Sequence, residues 1–183
     1  MQRPKAAIAT DAHIIKLCRH IVPDSQPLVI ASGPDPDAPQ KECFQIVAYH
    51  IAQHGGQTVY GWAIWEVPGV YIEAEYHSVW QSPEGELLCL TPFPLSFESI
   101  LFLPDPSRSY KGRQVDNVRE PLVKDRDVYR YLYLAKRIFE ITNAGDLADQ
   151  HGEIRLPPKA AKEYWKIQEE IAKLRPRLHK RYP

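Results

Sequence analysis

EAEYHSVWQSPEGELLCLTP, residues 73–92, reads as two strands joined by a tight turn, and its pairing decides which side chains share a face. Ser82-Pro83-Glu84-Gly85 suits a type I turn, with Pro83 at the second position and Gly85 as the left-handed residue of a bulge. That loop pairs Ser82 with Glu86. Counting back, Val79 faces Cys89 and His77 faces Thr91. Directly paired residues share a face, so His77, Cys89 and Thr91 are expected to point the same way. Tyr76, Ser78 and Trp80 then lie on the other face. A slip of one residue would exchange the two sets.

Upstream, CFQIVAYHIAQHGG (43–56) has helical spacing, with Phe44, Val47, Ala48 and Ile51 as its apolar stripe and Gly55-Gly56 as its stop. TDAHIIKLCRHIV (10–22) is an earlier helix that Thr10 or Asp11 can cap. A short apolar run from Pro27 leads into a proline-punctuated loop. QTVYGWAIWE (57–66) and SILFLPD (99–105) read as further strands from their Val, Ile, Tyr and Trp content. PSRSYKGRQVDNVREPL (106–122) is a long polar loop. DRDVYRYLYLAKRIFEITNAG (125–145) is a strong helix, and the segment from Pro157 to the end is a last one, with Pro158 in its first turn. Helices, strands and helices are segregated along the chain. The expected class is α+β, a small antiparallel sheet packed on helices. A single domain is expected over residues 1–183, with its core at about 27–122 and a C-terminal helical part at 125–183.

Lys plus Arg and Asp plus Glu both number 23, so the net charge is zero. A nucleic-acid or membrane-surface partner would call for a basic excess, and neither is expected. No apolar run reaches the ~20 residues of a membrane span, and the N-terminus lacks the apolar core of a signal peptide, so the expected compartment is the cytoplasm. Cys18, Cys43 and Cys89 are an odd set without a CxxC spacing. In a reducing compartment they are thiols, metal ligands or a nucleophile rather than a disulfide framework.

Cys43 stands at the expected start of a helix. A helix N-terminus favours negative charge, which would lower the thiol pKa, and its free N–H groups can hold an oxyanion. An imidazole is the usual proton acceptor for such a nucleophile, and His77 follows on a strand. In this order the chain resembles the papain-like and transglutaminase-like cysteine hydrolases. CFQIVAYHIAQHGG matches their nucleophile helix, EAEYHSVW their histidine strand, and GELLCLTP the strand that often reads DxTP. The resemblance implies a papain-like or transglutaminase-like core and a hydrolase or acyltransferase acting on an amide or ester bond. It makes Cys43 the nucleophile and His77 the general base, with Thr91 as a candidate orienting group. The substrate is then a peptide, a protein or a small amide, with no cofactor and no metal. Gln40 is placed beside the oxyanion, and Trp62 and Trp65 are candidates for a substrate groove. Cys89 occupies the slot where an Asp is expected, and a neutral thiol cannot stabilise an imidazolium as a carboxylate does.

The plainer readings stand beside these. Cysteine is among the most buried residue types, and the aromatic set from Tyr60 to Trp80 can simply pack the sheet. Zinc held by Cys43, His77 and Cys89 would lack a close ligand pair to anchor it. His50 and His54 share a helix face at i, i+4, which is also zinc-ligand spacing, yet HIAQH lacks the glutamate of an HExxH site. Arg108, Lys111, Arg113 and Arg119 form a solvated loop or the rim of a pocket for an acidic ligand. The alternative function is a non-catalytic binding or accessory protein that retains the fold.

Overall fold

Ser82 to Gly85 turns the chain as the sequence predicts. The Ser82 N–H donates to the Glu86 carbonyl at 2.8 Å, and Gly85 takes φ 95°, a left-handed conformation that costs glycine little. The computed structural model describes residues 4–9, 11–34, 38, 42–150 and 154–183. The expected roles of Thr10 and Gln40 lie outside the described residues. The described chain divides into a barrel unit (Lys5–Trp65 and Ala74–Tyr110) and a helical unit (Glu66–Glu73 and Lys111–Pro183, with Pro4).

The barrel unit runs β1 (Lys5–Ala6), α1 (Ala12–Ile21), β2 (Leu28–Ser32), α2 (Cys43–His54), β3 (Gln57–Val67), β4 (Tyr71–Gln81), β5 (Leu87–Cys89) and β6 (Ser99–Pro104). β3 and β4 form a hairpin whose turn end belongs to the helical unit. The strands of this unit lie in the order β1-β3-β6-β2-β5-β4, and pairing of β3 with β4 closes five of them into a ring. Closure leaves those five strands without a free edge. The sheet differs from the expected small antiparallel one by closing into a ring and by one parallel pair, Ala31 beside Leu88 and Ser32 beside Cys89. The reason is β2. Turn chemistry identifies strands that neighbour each other in sequence, but β2 inserts between β5 and β6, and no local signal marks a strand that pairs at a distance.

Within β3 and β4 the side chains alternate between two faces, as a strand requires. Ile30, Ala63, Trp65, Val79, Cys89, Ile100 and Phe102 form the core inside the ring. Tyr60, Trp62, Tyr76 and Trp80 lie outside it. α2 packs on that outer face: Phe44 meets Tyr76 at 5.7 Å between ring centres, and His50 meets Trp80 at 4.6 Å.

The helical unit contains β7 (Val118–Pro121), α3 (Arg126–Thr142) and α4 (Pro158–Arg181). β7 falls within the segment read as a polar loop. The Arg119 guanidinium bonds Glu73 at 2.6 Å and Asp116 at 2.9 Å, so these charges anchor the strand where solvation was expected. Asp125 caps α3, accepting the Asp127 N–H at 2.7 Å. The same carboxylate accepts from Tyr182 at 2.8 Å and from Arg181, tying the end of α4 to the start of α3. Ile167, Ile171, Leu174 and Leu178 are the buried stripe of α4, at the three- and four-residue spacing of one helix face. No helix among the described residues is long and apolar enough to cross a membrane.

Candidate functional site

The hairpin register carries His77 and Cys89 inside the ring. Trp80 pairs with Leu88 and Gln81 with Leu87, so Val79 falls opposite Cys89. The His77 Nε2 lies 3.3 Å from the Cys89 Sγ. β5 stops at Cys89, and His77 and Thr91 do not form a strand pair. Thr91 is buried against Cys89, and its hydroxyl has no hydrogen-bond partner among the described residues. Phe93 flanks the imidazole at 5.9 Å.

Burial sets the protonation of this pair. It holds the His77 pKa down to about 4. It pushes the Cys89 thiol up to about 11, with the backbone N–H of Thr91 opposing only part of the rise. Across the intervening pH range the proton stays on sulfur and off the ring. The contact is a weak hydrogen bond between neutral groups, not an ion pair.

Cys43 is elsewhere. It is the first residue of α2, as expected, but it packs against Ser78, the neighbour of His77 in β4. Successive side chains leave a strand on opposite faces. Ser78, Tyr76 and Trp80 therefore share the α2 side, while His77 points into the ring. The structure brings His77 and Cys89 together and sets Cys43 on the other side of the strand. Burial pushes the Cys43 thiol up to about 11, against the lowering expected of a helix N-terminus. The backbone N–H of Ser78 favours the thiolate, and the nearby Glu75 and Cys89 oppose it. Only 5 % of Cys43 is exposed, so desolvation outweighs the helix dipole.

The two tryptophans expected to line a groove are both buried and hydrogen-bonded. Trp62 donates Nε1–H to Asp105 at 3.0 Å on the outer face, and Trp65 donates to Glu75 at 2.9 Å on the inner one. Asp105, itself 2 % exposed, also accepts from the Ser107 hydroxyl at 2.6 Å and pairs with Arg108 at 3.3 Å. Sequence reading passed over Asp105. Its signal was an acid closing an apolar strand between two prolines, in LFLPDPS. Surface cavities open among the described residues of the barrel unit. One of about 640 Å³ lies along α2 and includes Tyr49, His50, His54 and Leu90; another, of about 610 Å³, borders Asp105 and Arg108. Neither includes Cys43 or His77 in its lining.

The depressed His77 pKa makes a stability prediction. The unfolded chain binds a proton at the ordinary value of 6.5, while the folded chain resists it down to about 4. Stability is therefore full above the unfolded pKa and falls as pH drops through this window. Between about pH 7.5 and pH 5 this group should cost about 2 kcal/mol of unfolding free energy. Urea unfolding at both pH values checks it, because His77→Gln should remove that part of the pH slope.

Comparisons of this chain with protein-family models, curated proteins and solved structures found no match.

Proposed function

We propose that this chain is a non-catalytic binding or accessory protein, in which His77 and Cys89 are core groups of a barrel scaffold. The observation that supports this most is the contact of Cys43 with Ser78, whose side chain leaves β4 on the face opposite the one that carries His77 to Cys89. A thiol needs a base within about 4 Å to lose its proton to it. Neither group is tuned for such chemistry, since the thiol stays protonated to about 11 and the imidazole, with its pKa held down to about 4, is too weak a base to keep that proton.

A cysteine hydrolase of papain-like or transglutaminase-like type is the second reading. It is favoured by the 3.3 Å contact of His77 with Cys89, which matches the contact that a histidine of such enzymes makes with its third residue. Nucleophilic catalysis leaves a kinetic trace that separates the two readings. With p-nitrophenyl acetate, the binding protein should release nitrophenol at the rate of its Cys43→Ala variant. A burst of one equivalent per chain, absent in that variant and followed by slower turnover, would establish an acyl-enzyme.

A further inference from the structure

We propose that His50 and His54 form a binding site for a divalent transition-metal ion, at the cavity beside α2. The two residues stand one helical turn apart, and their ring centres lie 4.3 Å from each other with 35° between the planes. Two imidazoles bound cis to one ion, with metal–nitrogen bonds of about 2.1 Å, bring their centres to roughly 4–5 Å. The observed ring separation falls within that range. Imidazole is a suitable ligand for Zn²⁺, Ni²⁺ and Cu²⁺.

Packing holds one of the two rings in place. The His50 ring meets the Trp80 ring edge-on, at 4.6 Å and 74°. Trp80 is fixed in turn by its Nε1–H, which donates to the Gly55 carbonyl at 2.9 Å, just past the end of α2. A ligand held by its surroundings loses less freedom on binding than one that must be ordered. His54 is the exposed member of the pair. Both histidines line the cavity of about 640 Å³, together with Gln45, Tyr49 and Gln53. Among the described residues no third His, Cys, Asp or Glu joins them within ligand reach. The other coordination positions therefore belong to water or to a donor atom of a molecule entering the cavity. The site is independent of the roles of Cys43 and His77.

Ni²⁺ is the probe of choice, because it does not oxidise the three free thiols of the chain. The full chain is titrated with Ni²⁺ by calorimetry near neutral pH. In parallel, modification of each histidine by diethylpyrocarbonate is followed by mass spectrometry. One ion should bind per chain, and His50 and His54 should be protected together with the midpoint of the calorimetric titration. His54→Ala, at an exposed position that does not threaten the fold, should weaken binding by about tenfold or more. Binding unchanged in His54→Ala, protection of other histidines in their place, or no binding at all would overturn the proposal and leave a stacked pair only.

Discussion

Phe102→Ala should destabilise the barrel unit by about 3–5 kcal/mol, the range for deleting a fully buried aromatic ring. Phe102 is 0 % exposed and sits on β6, paired with Ala63 of β3 on one side and Leu28 of β2 on the other. Its ring fills the middle of the core, among Ile30, Trp65, Val79 and Ile100. Truncation removes apolar contacts and leaves a hole that a closed ring cannot collapse to fill, because its five strands are hydrogen-bonded on both sides. Chemical unfolding followed by tryptophan fluorescence measures the loss, with Trp62 and Trp65 as reporters. Phe102→Leu should recover more than half of it, since most of the buried volume returns.

The second large effect comes from adding one carbon. Gly61→Ala should cost roughly 3 kcal/mol or more, at the upper end for overpacking. A β-carbon at Gly61 would stand 2.2 Å from the Leu103 carbonyl oxygen and 2.6 Å from the Phe102 Cζ. The first of these atoms is backbone and cannot rotate away. Relief requires β3 and β6 to separate, which opens the ring where Gly61 pairs with Pro104. The glycine is needed for close approach and not for a left-handed turn. The comparison with Phe102 tests that account. In a Gly61→Ala background, Phe102→Leu should give no relief, because the clash with the carbonyl remains. Full relief by that second change would mean that the ring, and not the backbone, makes the contact.

The local elements were legible in the sequence. The Ser82–Gly85 turn, the register of β4 with β5 and the start of α2 at Cys43 all follow from turn chemistry and period, which act over a few residues. That register placed His77 and Cys89 on one face, where they meet at 3.3 Å. Ring closure was not legible, because β2 finds its partners Cys89 and Leu101 across tens of residues and no local propensity encodes that choice. The same limit governs the candidate site. Strand alternation told which residues of β4 share a face with His77, but not which face α2 would cover. The helix covers the Tyr76, Ser78 and Trp80 side, so a correct order of Cys and His along the chain did not become a contact in space. The thiol pKa followed from the same cause. A helix N-terminus lowers it at an exposed position, and burial reversed the sign at Cys43.

The pH profile of Cys43 alkylation in the native chain tests this account most directly, with iodoacetamide and mass spectrometry resolving all three thiols. A buried thiol with its pKa at about 11 should react no faster than Cys18 or Cys89 at neutral pH, with a rate still climbing in mild alkali. His77→Gln should leave that profile unchanged, since the imidazole lies on the far face of β4. Selective alkylation of Cys43 at about pH 6 to 7, reaching a plateau that His77→Gln abolishes, would contradict the account and show a working thiolate–imidazolium pair.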